Sequence, residues 1–386
     1  MKVLFVTLFS LETNTSVTKS NIGLLKGLHD CGYEITLLTP NAFADEQINC
    51  FIKENDICSI RLNNPLKVSG IVNSFHKSHG FKHKLMLFLR KVFYSFKVYD
   101  KTKSYVKYIN GLRDLDKFYD VIISTSDPKT SHLFVKKLIE KKKVLFGKWI
   151  QHWGDPLLGD ISSNRIIPKF VIKHTEKILL SKATKVIYVS PFTLEAQKKN
   201  YPFYSEKMFF EPLPCLQNSS LNSNLKIDYT KVCYLGDYNS RVRNIMPLYK
   251  AINNNKEFSL VIAGNTDLVL SETDNIKVYK RVSQEEAKKI ENECFVSITI
   301  DNLYGTQIPG KIYYSADNNK HILIALEKNR IDDKINYLLS FNRFFVCENN
   351  ENSIIDSIKQ LASCRDKQYT VPDKLLPENI VKKIIN

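Results

Sequence analysis

The sequence predicts an α/β fold with two doubly wound, parallel-sheet domains facing a cleft. Two observations lead to this class. Short apolar runs typical of buried strands alternate with amphipathic stretches of helical spacing, and this alternation stops once and then resumes. A length of 386 residues fits two or three domains, and a hydrophobic content of 43% suffices for sizeable cores. Ligands of such sheets bind at the carboxyl ends of strands.

The first half of the chain, 1–210, is predicted to form one domain. Its predicted strands are 3–9, 34–38, 120–124, 144–149 and 185–189. A helix is predicted over 20–31, where apolar residues share one face and Gly32 follows as a stop. Asp127 is predicted to cap a further helix, with Pro128 at its first position.

A linker rich in proline, asparagine and serine is predicted over 211–230, and a second domain over 231–365. Strands of this domain are predicted at 232–235, 259–263, 275–279, 295–300, 321–326 and 343–347, and helices at 243–253, 283–294 and 352–363. Ser283 and Glu286 have the spacing of a capping box. Residues 366–386 form a C-terminal segment.

Charge and cysteine usage narrow the class of protein. The formal charge of +16 favours an anionic partner: a nucleic acid, an anionic membrane surface or a phosphorylated small molecule. A codon bias toward lysine and asparagine would explain part of the charge but not its clustering. The eight cysteines form no CxxC pair, which indicates buried thiols in a reducing compartment. The apolar N-terminus lacks a cleavage pattern, so we expect a buried strand there and no signal peptide.

The segment from Phe81 to Tyr108 combines an apolar, aromatic stripe of helical spacing with eight cations and a single acid, Asp100. This pattern is typical of a helix that lies in an anionic membrane interface. An amphipathic helix packed on its own domain, with a solvated basic face, is the alternative. We expect the membrane surface to be the partner, and no apolar run is long enough to cross a bilayer.

Two loops of the second domain bring cations to predicted helix starts. Lys311 follows a Gly/Pro-broken loop, where a cation is unfavourable unless an anion lies opposite. Gly236 opens the other loop, which carries Arg241 and Arg243. Because both loops follow strands of one predicted sheet, we expect the three cations to share one diphosphate. Solvated side chains in plain loops are the alternative. The strand that ends at Tyr279 would edge the same site and hold a base.

In the first domain, side chains suited to catalysis or sugar binding follow a predicted buried strand. His152 and Asp155 could bond hydroxyl groups or move protons, and Trp153 could stack on a sugar. A core histidine and a helix-capping aspartate are the alternative. The first strand–helix turn has no GxGxxG, so we expect no dinucleotide cofactor, although Thr13 and Ser16 could bond a substrate. A plain surface loop is equally consistent with that turn.

On these motifs the chain resembles the GT-B glycosyltransferases, in particular the retaining family of bacterial lipopolysaccharide and capsule biosynthesis. The donor signature of that family, Ile-Pro-Xaa-Lys before an aromatic and acidic helix, corresponds here to Ile308-Pro309-Gly310-Lys311. The resemblance implies two Rossmann-like domains and transfer of a sugar from a nucleotide diphosphate-sugar. Cations stabilise the departing diphosphate, so no metal or other cofactor is implied.

The resemblance also assigns site residues. It implies that Gly236, Arg241, Arg243 and Lys311 bind the donor diphosphate, and that Tyr279, Gln307, Ile308, Pro309, Gly310 and Tyr314 bind its nucleotide and sugar. His152 or Asp155 would be catalytic, and Thr13, Ser16 and Trp153 would bind the acceptor. Asp237 replaces an arginine that is frequent in the family, and Tyr304 and Tyr314 stand near the positions of its two glutamates.

The acceptor implied by the resemblance is a lipid-linked oligosaccharide of O-antigen or capsule assembly. The enzyme would be cytoplasmic and peripheral on the inner face of the membrane. A helix from Pro377 to Ile385 would cross back onto the first domain. Two other functions stay open: a non-hydrolysing nucleotide-sugar 2-epimerase of the same fold, and a non-enzymatic binder of nucleic acid. The second lacks a recognition-helix motif, an RNP-like strand and zinc ligands, so we expect no nucleic acid partner.

Overall fold

The computed structural model describes residues 1–13, 15–41, 45–63, 92–113, 115–163, 165–216, 227–364, 367 and 369–386. These residues divide into two compact units. Unit 1 contains Met1–Pro212 together with Ile380–Asn386, and unit 2 contains Leu213–Asn379. Each unit is built on one parallel sheet with helices packed on it, which confirms the predicted α/β class.

The sheet of unit 1 has seven strands in the order β3-β2-β1-β4-β5-β6-β7, all parallel. The strands are β1 Lys2–Val6, β2 Glu34–Pro40, β3 Cys58–Leu62, β4 Phe118–Ser126, β5 Leu145–Trp153, β6 Lys185–Tyr188 and β7 Met208–Phe210. Alternate residues of β1 enter different cores: Val3 and Phe5 pack on one face, and Leu4 and Val6 on the other. Both faces are therefore covered, as in most parallel sheets.

The helices of unit 1 are α1 Ser16–Asp30, α2 Glu46–Glu54, α3 Thr130–Glu140, α4 Lys169–Lys182 and α5 Pro191–Asn200, with 3-10 helices Lys101–Gly111 and Pro202–Lys207. Helix α1 begins earlier than predicted because the Thr15 side chain accepts a hydrogen bond from the Thr18 N–H. The predicted cap at Asp127 is wrong. Lys129 holds the cap position of α3, and the Asp127 carboxylate pairs with the Lys129 ammonium instead.

The sheet of unit 2 has six parallel strands in the order β10-β9-β8-β11-β12-β13. The strands are β8 Asp228–Leu235, β9 Ser259–Ala263, β10 Ile276–Tyr279, β11 Cys294–Ile300, β12 His321–Leu326 and β13 Phe345–Glu348. The strand at 259–263 and the strand at 321–326 have the predicted bounds. β11 and β12 are buried along their whole length, because helices cover both faces of a parallel sheet.

The helices of unit 2 are α6 Met246–Asn253, α7 Gln284–Glu293, α8 Lys311–Tyr314, α9 Ile331–Leu339 and α10 Glu351–Ala362, with 3-10 helices Lys328–Arg330 and Asp373–Leu375. Helix α6 begins later than predicted, because the N–H groups of Val242 and Arg243 bond the Asn239 carbonyl in a turn. Ser283 caps α7 through the Glu286 N–H at 3.1 Å, as the sequence predicted.

The last helix, α11 Pro377–Ile385, contributes to the core of unit 1. Ile380, Val381 and Ile384 are at most 1% exposed and pack in the same cluster as Val3 and Ile35. The spacing of these apolar residues gives the helix one continuous apolar face. The chain therefore returns to its first sheet at its C-terminal end.

The predicted basic helix over 81–108 falls partly on residues 81–91, which lie outside the described residues. Over 92–108 a single helix is wrong, because Asp100 caps a separate 3-10 helix through the Thr102 N–H at 3.0 Å. Phe93 and Phe96 are exposed in the part before it. Among the described residues, no helix combines the length and apolar character that a membrane crossing requires.

Candidate functional site

The loop after β4 and the loop after β5 bring four charged side chains together, which we call the unit 1 cluster: Asp127, Lys129, Asp160 and Arg165. The Lys129 Nζ lies 2.5 Å from Asp127 Oδ1 and 2.7 Å from Asp160 Oδ2. The Arg165 Nη1 is 3.9 Å from the same Asp160 oxygen. The Lys129 side chain is only 5% exposed, so two carboxylates compensate one buried ammonium.

The two carboxyl groups of the unit 1 cluster differ in acidity. Desolvation raises the pKa of Asp127, and the attraction of Lys129 only partly offsets this. Desolvation also acts to raise the pKa of Asp160, but Lys129 and Ser162 together hold it below its ordinary value. Asp127 is the more accessible of the two, with 32% of its side chain exposed. It therefore accepts a proton more readily than its neighbour.

A cavity of about 600 Å³ opens beside this cluster. All four cluster residues line it, together with aromatic side chains that include Phe9, Tyr94 and Tyr99. The Lys129 and Thr130 segment lies at the carboxyl end of β4, where ligand sites of parallel sheets form. Aromatic walls with a few convergent polar groups are typical of small-molecule sites.

The predicted residues His152 and Trp153 lie in the interior of unit 1. Trp153 is completely buried, stacks on His132 at 4.3 Å between ring centroids, and donates its Nε1–H to the Gln151 side chain. Burial lowers the pKa of His152 to about 4, and its Nε2 has no hydrogen-bond partner among the described residues. Both rings are enclosed in this conformation, and the roles of His152 in catalysis and of Trp153 in acceptor binding stay predictions.

The other residues predicted for the first domain lie near its strand ends. Asp155 is half-buried in the loop after β5 and raises the pKa of Lys129 through its charge, a smaller effect than those of Asp127 and Asp160. The Thr13 hydroxyl donates to the Ser10 carbonyl at 2.9 Å. Ser16 is exposed as the first residue of α1. Their roles in binding an acceptor stay predictions.

In unit 2, the loop after β8 is positioned by contacts with the segments that follow β9 and β10. Gly264 is required at the end of β9, because a Cβ there would stand 2.0 Å from the Gly236 carbonyl oxygen. Asp237 accepts the Asn265 N–H at 2.8 Å and forms an ion pair with Arg281, a residue that the sequence analysis did not single out. Arg281 follows β10, so its guanidinium reaches the same strand ends.

The three cations predicted to share a diphosphate have different partners. Arg243 donates from Nη1 to the Asp237 carbonyl at 2.7 Å, and its buried Nε has no hydrogen-bond partner among the described residues. Arg241 is exposed in the same loop. Lys311 begins the four-residue helix α8 as predicted, but its Nζ is buried and lies 3.7 Å from Glu291 Oε1. Diphosphate binding by Lys311 stays a prediction, and it would require this ammonium to leave Glu291.

Most of the predicted donor signature is packed inside unit 2. Gln307, Ile308, Pro309 and Tyr314 are buried, and Gly310 is half-buried. The Gln307 carbonyl accepts a hydrogen bond from Asn302 Nδ2 at 3.3 Å, and the roles of these residues in donor binding stay predictions. Two tyrosines are more accessible: Tyr279, which ends β10, is 40% exposed, and Tyr304 is 49% exposed.

A second charged group, the unit 2 cluster, was not predicted: Asp301, Arg330 and Lys334. The Lys334 Nζ lies 2.7 and 2.8 Å from the two carboxylate oxygens of Asp301, and the Arg330 Nε is 2.9 Å from Oδ2. Burial lowers the pKa of Lys334 to about 8 although Asp301 opposes the shift. The Arg330 Nη2 is buried without a hydrogen-bond partner within the described residues. Two features of the sequence could have indicated this cluster. Asp301 directly follows β11, and the two cations are four residues apart.

Across the residues that the structure describes, no three or more His, Cys, Asp or Glu side chains are grouped to hold a metal ion. Independence from metal stays a prediction.

No protein-family model matches this chain, and no curated protein matches it by sequence. Solved structures do share its fold. Anabaena HepE in complex with UDP and glucose is 11% identical with a TM-score of 0.55, covering 100% of this chain and 96% of that one. An α-glucosyltransferase in complex with UDP and a 13-mer DNA is 12% identical with a TM-score of 0.56, covering 97% and 94%.

A third structure of this fold, a candidate UDP-N-acetylglucosamine 2-epimerase from Listeria monocytogenes, is 8% identical with a TM-score of 0.51. It covers 100% of this chain and 95% of that one. At these identities the likeness establishes the fold alone. That fold consists of two parallel-sheet α/β domains of the GT-B type, as the sequence predicted.

Proposed function

We propose that this protein is a glycosyltransferase that moves a sugar from a nucleotide diphosphate-sugar to an acceptor. The observation that carries the proposal is the GT-B fold over the whole chain, shared with proteins crystallised with UDP and with glucose. A fold hosts several chemistries, so the residues at the strand ends have to support the reaction as well.

The charges at the strand ends of unit 2 suit a diphosphate. Arg241, Arg243 and Arg281 belong to the loops after β8 and β10, and the buried Arg243 Nε is an unused donor among the described residues. Breaking the bond between sugar and diphosphate places charge on the departing phosphate. Fixed cations stabilise that charge without reorganisation, which is the main electrostatic task of such a site.

The finer assignments rest on the resemblance of Ile308–Lys311 to the donor signature. We propose a hexosyltransferase that acts with retention, needs no metal, and serves a lipid-linked oligosaccharide in O-antigen or capsule assembly. Peripheral membrane binding is supported by the exposed rings of Phe93 and Phe96 beside Lys97. Sedimentation with anionic vesicles at low salt tests it: we expect the protein to pellet, and recovery in the supernatant would contradict membrane binding.

Thermal stability in the presence of UDP, GDP and dTDP tests the donor site and identifies the base. We expect one diphosphate to raise the melting temperature, since a ligand that binds only the folded state stabilises it. Lys311→Ala should abolish the shift if Lys311 leaves Glu291 to bind phosphate. A shift that survives this substitution would remove Lys311 from the site, and indifference to every nucleotide would overturn the proposal.

A nucleotide-sugar 2-epimerase is the second candidate, favoured by the structural likeness to the Listeria epimerase. The carboxyl groups of Asp127 and Asp160 are groups that such chemistry could use. The two functions can be distinguished by incubating the protein with the donor in the absence of an acceptor. A non-hydrolysing epimerase inverts C2 of UDP-N-acetylglucosamine and leaves the product sugar attached to UDP, whereas a transferase releases UDP and consumes the donor only when an acceptor is added. Proton NMR of the sugar ring distinguishes these outcomes.

A further inference from the structure

The cavity of unit 1 has the size and the lining of a ligand site that no comparison assigns. Its volume of about 600 Å³ lies within the range of small-molecule sites, roughly 300–1,000 Å³. It lies within unit 1 and is lined by described residues of the loops after β1, β4 and β5 and of the 92–100 segment.

Two polar groups of the unit 1 cluster are left to bind a ligand. The Arg165 Nη1 is buried, and within the described residues it makes no hydrogen bond; its contact with Asp160 is 3.9 Å long. Asp127 pairs with Lys129 through Oδ1 at 2.5 Å, and 32% of its side chain stays exposed. A buried donor without a partner is costly, so a bound group that accepts from Arg165 would be favoured.

The charge of the lining argues against an anionic ligand. Three carboxylates line the cavity, Asp100, Asp127 and Asp160, against two cations, Lys129 and Arg165. The described lining thus carries one negative charge in excess, 3 − 2 = 1, when all five groups are ionised. A phosphate or a nucleotide would meet repulsion from this excess. A neutral molecule rich in hydroxyl groups would donate to the carboxylates and accept from Arg165.

The apolar part of the lining suits the other face of such a molecule. Phe9, Tyr94 and Tyr99 supply aromatic surface to the same cavity as the charged groups. Aromatic rings pack well against the C–H groups of a pyranose while its hydroxyls bond polar side chains. A saccharide has both of these faces, whereas a purely apolar ligand would leave the buried Arg165 Nη1 without a hydrogen-bond partner.

We propose that this cavity binds a neutral saccharide, with Asp127 accepting from its hydroxyl groups and Arg165 donating to them. The saccharide would be part of the sugar acceptor; that role rests on the proposed glycosyltransferase function, whereas the binding does not. The site therefore differs from the acceptor contacts predicted at Thr13, Ser16 and Trp153.

Saturation-transfer NMR on the full chain tests the proposal with glucose, galactose, mannose, N-acetylglucosamine and their disaccharides. At least one should bind saturably, and inorganic phosphate should not compete with it. Asp127→Asn should weaken binding about tenfold or more, because a charge-assisted hydrogen bond is replaced by a neutral one. Glu195→Gln, a matched change at an exposed acid of α5, should leave it unchanged.

Three results would overturn the proposal: no saccharide of the panel saturates the signal, phosphate displaces it, or Asp127→Asn binds like the wild type. If Asp127→Asn fails to fold in a melting experiment, Arg165→Gln takes its place with the same expected loss. Nucleotide binding is measured separately. Saccharide binding without any nucleotide binding would support this site and contradict the proposed transferase. Nucleotide binding without any saccharide binding would contradict this site and leave the proposed transferase in place.

Discussion

The charge clusters of the two units are centred on ions of opposite sign. In unit 1, Lys129 lies between the carboxylates of Asp127 and Asp160. In unit 2, the Asp301 carboxylate lies between two cations, Arg330 and Lys334. Both clusters follow the carboxyl ends of parallel strands, where similar topology brings distant loops together.

Under the proposed function, this difference assigns the two ligands of the reaction to different sheets. The described lining of the unit 1 cavity has one acid in excess, which favours hydroxyl groups as ligands, whereas the unit 2 cluster has one cation in excess, which favours phosphate. Transfer from a nucleotide diphosphate-sugar needs both kinds of ligand. Substitutions in the two units should therefore have comparable effects on the free energy of unfolding, and they are given from the largest expected effect to the smallest.

Removal of the central ion should destabilise either unit. Asp301→Ala leaves two buried cations without their carboxylate, and Lys129→Ala leaves two carboxylates without their ammonium. Each should lower the free energy of unfolding by about 3–5 kcal/mol, measured by urea denaturation. Lys137→Ala, which removes an exposed pair with Glu140, should cost less than about 1 kcal/mol. If Asp301→Ala and Lys129→Ala lowered the free energy of unfolding as little as Lys137→Ala does, the clusters would not be buried ion networks.

The unit 2 cluster should make stability depend on alkaline pH. The pKa of Lys334 is lowered to about 8 in the folded chain and is about 10.4 in an unfolded chain. Between these values the unfolded chain binds a proton that the folded chain has released. The free energy of unfolding should therefore rise with pH from about 8 to about 10.4.

The rise should be on the order of 2–3 kcal/mol relative to Lys334→Met, which lacks this titration. Tyrosines and cysteines that titrate in the same window affect both proteins and cancel in the difference. Urea denaturation at pH 7.5 and pH 10.5 gives the comparison. Parallel changes in the two proteins would place Lys334 in a solvated environment, contrary to the 4% exposure of its side chain.

Helix caps should have similar and smaller effects in both units. Thr15 caps α1 in unit 1, and Asn350 caps α10 in unit 2 through the Ser353 N–H at 2.8 Å. Substitution of either by alanine should cost about 1 kcal/mol. Amide hydrogen exchange should accelerate about fivefold in the capped helix alone. Equal acceleration in the other unit would show that the two units open together.

The smallest expected effect concerns the exposed pair between Asp237 and Arg281. Asp237→Asn removes a carboxylate that neutralises a cation at the strand ends of unit 2. Stability should change by less than about 1 kcal/mol, because both side chains are more than 40% exposed. Nucleotide affinity should rise a few-fold, since Arg281 becomes available to phosphate. Isothermal titration would contradict this charge balance if affinity fell.

The sequence predicted the sheets better than the sites, for a physical reason. Apolar runs such as 321–326 mark buried strands, because burial on both faces demands them. A strand end can also be located from sequence, but the direction of its side chains cannot. Lys311 was correctly placed at a helix start, yet its ammonium is buried against Glu291.

Ion pairs between residues far apart in the sequence could not be predicted, for a related reason. Asp301 and Lys334 are 33 residues apart and meet only through the pairing of β11 with β12. Asp127 was interpreted as a helix cap because Pro128 follows it, and its ion pair with Lys129 overrode that local preference. His152 and Trp153 end a strand, where sequence can locate them, but the burial of both side chains to 1% exposure or less could not be predicted from their types.

Binding of UDP to two matched variants tests the central claim most directly. Arg241 in the loop after β8 and Lys289 on α7 are both exposed cations of unit 2. By isothermal titration, we expect UDP to bind the wild type and Lys289→Ala equally, and Arg241→Ala about tenfold more weakly, with affinity falling as salt rises. Equal binding by all three proteins, or no binding of UDP, GDP or dTDP to any, would contradict a diphosphate site at these strand ends.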